Sequence, residues 1–416
     1  MKHATPSRIA GAFFAAALGL AVCAHATDTE SRVYNFEKAA GGYYPSGNLL
    51  MDASGNLFGT AFAGPGREGT GTVFELSPVS GGGYTYSVIY TFNGSAHEYG
   101  PVGSLVMDAA GNLYGSTSGT TTGEIFELSP TGSGVWTESV LYVLNSNEGT
   151  SPSPVVLDAA GNLYGTSTSG GASNVGYVFE LSPVSGGGWN YQHLHEFSGT
   201  DGFYPEAGVV LDASGNIYGT TAHGGSSTNC VDGCGVVFEL SHASGSWVDT
   251  TIHSFSGPDG SDPVGPLTLD AAGNLYGTAG SGGTSGKGVV FELSLVSGVW
   301  KGHALHNFVG ANGDGAFPNT ALVLSGGNLY GTTASGGGGL NGCVIFGDYG
   351  CGSVFELSPS GTNWKTTILH DFSGLGDGGT PQGVILDASG NPVGMTQAGG
   401  AKDGGVVFKL TPPAAK

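Results

Sequence analysis

Charged residues are scarce in this chain of 416 residues, at 10% against about 25% in an average protein. Basic residues are the scarcest, with 11 Lys and Arg against 32 Asp and Glu. Such an acidic chain repels nucleic acid and anionic lipid, so we expect neither as a partner. The sequence also lacks the run of about 20 apolar residues that a membrane-spanning helix needs. We therefore expect no membrane insertion once the amino-terminal segment is removed.

Glycine is in excess, with 80 residues. It does not recur at every third position, which excludes collagen, and 39% hydrophobic residues are too many for a disordered chain. Glycine inside a helix costs about 1 kcal/mol relative to alanine, which disfavours long helices. The composition predicts a folded, turn-rich, mostly β protein.

Residues 1–26 have the layout of a secretory signal peptide. Two basic residues precede an apolar run from Ile9 to Val22, and Ala24-His25-Ala26 fits a cleavage site. Cys23 gives the segment some likeness to a lipoprotein signal, and the sequence leaves this alternative open. Removal leaves 9 basic and 32 acidic residues, a net charge of −23. We expect residues 27–416 to form one exported, monomeric domain that is secreted or periplasmic.

One unit of 50 to 63 residues recurs seven times. Its GNLYG-like turn, VFELSP-like block and LHxF-like block return in this order along the chain. The Gly-Asn pairs of the turn are Gly55-Asn56, Gly111-Asn112, Gly161-Asn162, Gly215-Asn216, Gly273-Asn274, Gly327-Asn328 and Gly390-Asn391. Segments between turns have the composition of strands. In the fourth unit they are Gly208–Asp212, Asn216–Thr221, Gly235–Leu240 and Trp247–Phe255. Four antiparallel strands per unit describe a propeller blade.

The two ends of the repeat array are complementary. The seventh unit ends after its third strand, Val406–Thr411, and the segment Arg32–Phe36 has the fourth-strand pattern with no unit before it. Pairing of these two segments would close the ring and protect the strand edges. We therefore predict an all-β fold, a seven-bladed β-propeller with four antiparallel strands per blade, in which the amino-terminal strand completes the last blade.

The tandem DxxGNLYGT, VFELSP and LHxF blocks resemble the Gloeo/Verruco-type (GloVer) repeat of bacterial exported proteins, over residues 32–412. The DxxGNLY segment is also similar to strands of NHL-type propellers. The resemblance implies an exported, often surface-associated protein and assigns it no biochemical role. Many relatives carry a carboxy-terminal sorting anchor, which we do not expect here because Thr411–Lys416 has no such pattern.

The repeated polar residues are better explained by structure than by chemistry. Ser325 replaces the Asp of the first turn in the sixth unit, so we interpret this Asp as a turn residue rather than a metal ligand. The His of the LHxF block alternates with Tyr, which favours a structural role over metal binding or base catalysis. These residues are His195, His253, His306 and His370, against Tyr34, Tyr90 and Tyr142.

Function is expected where the units differ. The connections from strand two to three and from strand four to the next unit are long and variable, and both lie on one face of a propeller. This face carries carboxylates and aromatic residues that could bind the hydroxyl groups and rings of a glycan. The candidate ligand-binding residues are Glu98, Tyr99, Asp201, Phe203, Tyr204, Glu206, Asp259, Asp262, Asp314, Phe317 and Asp377. The same carboxylates could bind Ca²⁺ or could only maintain solubility; no other cofactor or metal is predicted.

Four cysteines follow the signal segment. Cys230 and Cys234 lie in the second-to-third-strand connection of the fourth unit, and Cys343 and Cys351 lie in that of the sixth. Because the fifth unit separates the two connections and export favours oxidation, we predict the local disulfides Cys230–Cys234 and Cys343–Cys351 rather than a cross-loop pairing or a zinc site.

Motifs of catalysis are absent from the sequence, which has no G-x-S-x-G elbow, H-E-x-x-H pair, phosphate-binding loop or EF-hand. We therefore predict a non-catalytic exported propeller that binds an extracellular glycan or protein through its long-loop face. The alternative is a glycan-active enzyme, a glycoside hydrolase or polysaccharide lyase that uses loop carboxylates. Only Arg32 and Arg67 remain after the signal segment, which disfavours an arginine clamp on an acidic polysaccharide. A structural or adhesion repeat without a ligand site is the third hypothesis.

Overall fold

The computed structural model describes residues 28–37, 41–64, 70–94, 100–119, 122–132, 134–243, 245–310, 313–338, 343–345 and 348–412. The predicted signal segment 1–26 and the candidate residues Glu98 and Tyr99 lie outside these ranges. All regular secondary structure within them is β-strand, and they contain no helix that could cross a membrane.

Seven four-stranded antiparallel sheets form the blades of a propeller, which confirms the predicted fold class. Blades 1 and 2 consist of Tyr43–Met51, Leu57–Ala63, Thr72–Pro78 and Tyr84–Thr91, and of Gly100–Met107, Leu113–Ser118, Glu124–Pro130 and Trp136–Val143. Blades 3 and 4 consist of Val156–Leu157, Leu163–Ser167, Tyr177–Pro183 and Trp189–Glu196, and of Val210–Leu211, Ile217–Thr221, Val236–Ala243 and Ser246–Ser254. Blades 5 and 6 consist of Thr268–Leu269, Leu275–Ala279, Val289–Val296 and Val299–Asn307, and of Val323–Ser325, Asn328–Thr333, Ser353–Ser360 and Asn363–Asp371. Two short strand pairs accompany blade 6: Gly315–Ala316 with Ser335–Gly336, and Val344–Ile345 with Asp348–Tyr349.

Blade 7 is closed by the amino-terminal strand, as predicted. It consists of Gly379–Leu386, Pro392–Ala398, Val406–Thr411 and, as its fourth strand, Thr29–Asn35. The last two strands are antiparallel, with Arg32 opposite Phe408. Backbone hydrogen bonds between the two ends of the array therefore close the ring.

The Asp-x-x-Gly-Asn segments form the turns between first and second strands, as predicted. In blade 3, Oδ1 of Asp158 accepts hydrogen bonds from the N–H groups of Ala160 and Asn162, both at 2.8 Å. Gly161 has a φ of +90°, a left-handed conformation that other residues rarely adopt. Burial alone would raise the pKa of Asp158, but the hydrogen bonds from Asn162 and Ala160 lower it below its usual value. The same Asp–Asn contacts occur at Asp52, Asp108, Asp212, Asp270 and Asp387.

Phenylalanine pairs form the core between blades. The Phe of the LHxF block packs edge-to-face on the Phe of the VFELSP block in the next blade, for example Phe197 on Phe238 at 5.2 Å between ring centroids. Phe197 is only 1% exposed. Equivalent pairs, at 5.0 to 5.3 Å, are Phe36–Phe74, Phe92–Phe126, Phe255–Phe291, Phe308–Phe355 and Phe372–Phe408. Leu144 takes the position of Phe197 in blade 2.

The Gly-Thr pair at the end of the GNLYGT block has two roles. The Gly allows close packing within its own blade, and the Thr bonds to the next blade. A Cβ at Gly165 would lie 2.6 Å from Cζ of Phe179, so glycine is required for the third strand to pack here. The next residue, Thr166, is fully buried and donates its hydroxyl hydrogen to the carbonyl oxygens of Pro205 and Ala207 in blade 4, each at 2.9 Å. Equivalent hydroxyl bonds run from Thr60 to Gly103, from Ser116 to Ser153 and from Thr278 to Thr320.

The first strand of blade 4 is shorter than the sequence predicts, and one of these bonds lies where its pairing is missing. The sequence predicts a strand over Gly208–Asp212, but only Val210–Leu211 pairs with the second strand of blade 4. The carbonyl of Ala207 is directed at Thr166 of blade 3 instead of its own blade. The hydrogen-bonded ladder of blade 4 therefore begins later in the sequence than the run of apolar residues does.

Both predicted local disulfides, Cys230–Cys234 and Cys343–Cys351, are present. Cys234 and Cys351 are fully buried just before the third strands of blades 4 and 6. Each disulfide therefore fastens a long connection to the blade that carries it.

Candidate functional site

The first strands of all seven blades surround a central channel that contains a cavity of about 490 Å³. Its lining consists of small or uncharged side chains, and Glu206 is the one ionisable residue in it among the described residues. The cavity reaches the long-loop face, because it is lined by Thr168, which follows a second strand, and by Ser151–Pro154, which precedes a first strand.

The residue before each entry proline forms a ring on this face, here called the mouth ring. Its seven members are Tyr44, Gly100, Ser151, Tyr204, Asp262, Phe317 and Thr380. The five larger members have φ between 53° and 58°, which is costly for residues other than glycine. Contacts with the preceding blade hold this conformation: the N–H of Tyr204 donates to the carbonyl of Val175 at 2.9 Å, and that of Asp262 to Cys234 at 3.2 Å. At these five positions the mouth ring thus presents a variable side chain from the same backbone conformation.

Two further sets of equivalent positions lie beside the mouth ring. Two residues after each mouth-ring residue stand Ser46, Val102, Ser153, Glu206, Val264, Asn319 and Gln382. Six of these line the cavity. Eight residues after the Gly of each Gly-Asn pair stand Ala63, Gly119, Ser169, His223, Ser281, Ser335 and Ala398. In each of the three sets only one residue has a side chain that ionises at or below neutral pH: Asp262, Glu206 and His223, respectively.

These three residues lie within electrostatic range of one another at blades 4 and 5. Nδ1 of His223 lies 3.5 Å from Oδ1 of Asp262. The His223 ring lies 5.3 Å from the ring of Phe203 and 5.9 Å from that of Tyr204. Backbone hydrogen bonds in both directions between Phe203 and His223 hold the two loops together. We call Phe203, Tyr204, Glu206, His223 and Asp262 the mouth cluster.

The surroundings of Glu206 change the acidity of its carboxyl group. Its side chain reaches solvent in the channel, but the surrounding blades desolvate the carboxyl group and raise the pKa of Glu206 above its usual value. The charge of His223 opposes this change and that of Asp262 adds to it. Glu206 therefore binds its proton more tightly than a fully solvated glutamate does. Tyr204 is 40% exposed beside it and offers an aromatic face to solvent.

The other candidate carboxylates lie elsewhere. Asp201, Asp259, Asp314 and Asp377 each approach Nε2 of the LHxF histidine of the same repeat, at 3.0, 3.1, 3.1 and 3.4 Å. Each also accepts a hydrogen bond from a backbone N–H of its own loop, such as Ser256 for Asp259. These pairs fasten the entry loop to the fourth strand, and none of the four Asp residues lines the cavity.

Of the remaining candidates, Phe317 belongs to the mouth ring, where Lys287 Nζ lies 5.4 Å from its ring centroid. Sequence reasoning thus selected four of the five mouth-cluster residues but did not select His223. A comparison of equivalent positions would have identified it, because His223 is the one ionisable residue among the seven.

Solved structures share the fold at low sequence identity. The virginiamycin B lyase from Staphylococcus aureus has a TM-score of 0.54 at 14% identity, covering 92% of this chain and 98% of that chain. PorZ, a surface component of the type-IX secretion system of Porphyromonas gingivalis, has a TM-score of 0.53 at 12% identity, covering 91% of this chain and 48% of that chain. A protein from Lactobacillus plantarum has a TM-score of 0.51 at 13% identity, covering 83% and 88%. At these identities the likeness shows the fold alone.

The repeat itself is more informative than the fold. No curated protein matches this chain. The family described as the Gloeobacter/Verrucomicrobia repeat matches residues 119–346, more than half of the chain. The same blocks continue on both sides of this segment and build the seven blades. The chain therefore belongs to the Gloeobacter/Verrucomicrobia repeat family.

Proposed function

We propose that this protein is an exported, non-catalytic binding protein whose channel mouth holds an uncharged, hydroxyl-rich ligand such as a segment of a glycan. The observation that carries the proposal is the mouth cluster. Three sets of seven equivalent positions each depart once from neutrality, and the three exceptions, Glu206, His223 and Asp262, stand together beside the exposed ring of Tyr204.

The chemistry of the mouth supports this ligand class. The lining offers hydroxyl and amide groups of Ser, Thr, Asn and Gln, and among the described residues no Lys or Arg contributes to it. A polyanion would meet the carboxylates of Glu206 and Asp262 with no Lys or Arg in the described lining to offset them, whereas sugar hydroxyls can donate hydrogen bonds to both. Tyr204 can stack on a sugar ring, as aromatic faces do with apolar CH surfaces. Export is supported by the two disulfides, because these persist in oxidising compartments.

A second candidate function is glycan hydrolysis at the same cluster. The raised pKa of Glu206 is the property of a general acid, and Asp262 is a second carboxylate within its electrostatic range. One experiment separates the two functions: a panel of neutral polysaccharides is incubated with the protein, and both binding and newly formed reducing ends are measured. Binding without cleavage is expected. Cleavage that Glu206→Gln abolishes would replace the binding proposal by the hydrolase.

Substitutions locate the binding site. With a glycan that binds, isothermal titration calorimetry of Tyr204→Ala should show Kd raised about tenfold or more, since buried aromatic anchors contribute about 1–2 kcal/mol. Glu206→Gln should weaken binding while preserving the fold. Asp259→Asn is the matched control, because Asp259 is a carboxylate of the same face that does not line the cavity. Loss of binding in this control, with Tyr204→Ala unaffected, would exclude the channel mouth as the site.

A further inference from the structure

The outer rim of the propeller has a contact that repeats between blades. The residue four positions before the LHxF His or Tyr faces the His or Tyr of the preceding blade. Tyr142 stacks on Tyr191 with ring centroids 4.0 Å apart, and Thr366 Oγ1 lies 2.8 Å from Nδ1 of His306. Most of these contacts are neutral. In blade 4 the facing residue is Asp249, and its partner in blade 3 is His195.

Asp249 and Asp201 both approach the same ring nitrogen of His195. Nε2 of His195 lies 3.0 Å from Oδ2 of Asp201 and 3.9 Å from Oδ2 of Asp249. One ligand atom from each of the three residues lies within 4.8 Å of both others. Oδ1 of Asp249 is buried without a hydrogen-bond partner. Ser198 occupies the other oxygen of Asp201 through its N–H and hydroxyl groups, which fixes the orientation of that carboxylate.

We propose that His195, Asp201 and Asp249 form a divalent transition-metal site, with Zn²⁺ as the expected ion, that joins the rims of blades 3 and 4. Nitrogen and oxygen ligands at about 2.0–2.2 Å place tetrahedral neighbours about 3.4 Å apart, and the observed separations bracket this value. A histidine ligand favours zinc over Ca²⁺, which prefers oxygen ligands alone. Ser198 would act as the outer-sphere partner that orients Asp201. This site does not rest on the proposed function of the channel mouth.

The other His–Asp pairs differ from the pair in blade 3 in the group that faces the histidine from the next blade. His253 faces Gly302, and His306 faces Thr366, neither of which offers a second carboxylate. His370 is within electrostatic range of Glu30, but Arg32 is also near that carboxylate and already supplies a positive charge. The charges that act on Asp249 are those of His195 and Asp201.

The test measures zinc bound to the full-length protein after removal of metal with a chelator and dialysis against ZnCl₂. The wild type should retain one equivalent of zinc and unfold at a temperature several degrees higher than in excess chelator. Asp249→Thr, which introduces the residue of blade 6, and the isosteric Asp249→Asn should both lose that equivalent and the thermal shift. In chelator these variants should unfold no earlier than the wild type, because they lack the unpartnered buried carboxylate.

Asp259→Asn is the matched control. It removes the carboxylate of the corresponding pair in blade 4, where no second carboxylate faces the histidine, and it should leave the zinc equivalent unchanged. A wild type that binds no zinc would overturn the proposal. So would an undiminished equivalent in both Asp249 variants, since the ion would then lie elsewhere.

Discussion

The hydroxyl groups that join neighbouring blades allow a sharp test of how the ring is held together. Thr166 and Thr220 occupy the same position of successive repeats, and both are buried, with 0% and 1% exposure. The hydroxyl of Thr166 reaches two carbonyl oxygens of the next blade at 2.9 Å. The hydroxyl of Thr220 is buried without a hydrogen-bond partner. Valine has the same shape as threonine, so replacing each isolates the effect of the hydroxyl.

The two substitutions should change stability in different ways. Thr166→Val leaves two buried carbonyl groups without this donor and should lower the free energy of unfolding by about 1–3 kcal/mol. Thr220→Val removes an unsatisfied buried hydroxyl, so it should be neutral or stabilise by up to about 1 kcal/mol. Strand propensity does not separate the two variants, since valine and threonine both favour strands.

Urea unfolding followed by tryptophan fluorescence and far-UV circular dichroism measures both effects against the wild type. Each variant should keep the native spectrum and a similar dependence on urea, so that the midpoint reports stability. Equal losses in the two variants would refute the assignment of inter-blade stability to this hydroxyl. A loss above about 1 kcal/mol in Thr220→Val alone would refute it as well.

Two further predictions follow from the rim and the core. Phe197→Ala should destabilise by about 3–5 kcal/mol in the same assay, whereas Phe197→Leu should lose only about 1–2 kcal/mol, because Leu144 occupies this position in blade 2; equal losses would contradict the edge-to-face pair with Phe238. Burial alone would raise the pKa of Asp259, but hydrogen bonds from His253 and Ser256 lower it to about 2, from 3.8. Its contribution is therefore present above about pH 4 and disappears as the pH falls through 2, so Asp259→Asn should be less stable by about 1 kcal/mol at pH 7, after allowance for solvent screening, and equal to the wild type near pH 2. A difference that persists at pH 2 would show that the ionised carboxylate is not responsible.

Repetition made the fold predictable. Seven copies of each block average out the ambiguity of any one strand, and the incomplete seventh unit together with Arg32–Phe36 specified how the ring closes. The disulfides were predictable for a related reason, since the fifth unit separates Cys230 and Cys234 from Cys343 and Cys351. The short first strand of blade 4 was not predictable, because the hydrogen bond from Thr166 to Ala207 crosses between blades.

The site was harder to predict, because the type of a residue does not reveal which groups its side chain contacts. Asp201 and Asp259 are acidic loop residues, and by type alone they resemble ligands for a sugar. Their contacts with His195 and His253 could have been inferred, since the entry-loop Asp occurs in the units whose LHxF block has His rather than Tyr. Blade 2 shows the same relation with other residues: the hydroxyl of Tyr142 donates to Glu148 at 3.0 Å.

The mouth ring could not be found within a single unit, because its positive φ depends on contacts with the preceding blade. It becomes visible when the seven units are compared position by position. A residue present in six of the seven units, such as the Asp of the first turn, serves the blade. A residue present once, such as Glu206, His223 or Asp249, is not required by the blade, since six other blades form without it. The equivalent residues therefore supply substitutions that preserve the fold, and a loss of ligand or metal in Glu206→Gln or Asp249→Thr can be assigned to the site itself.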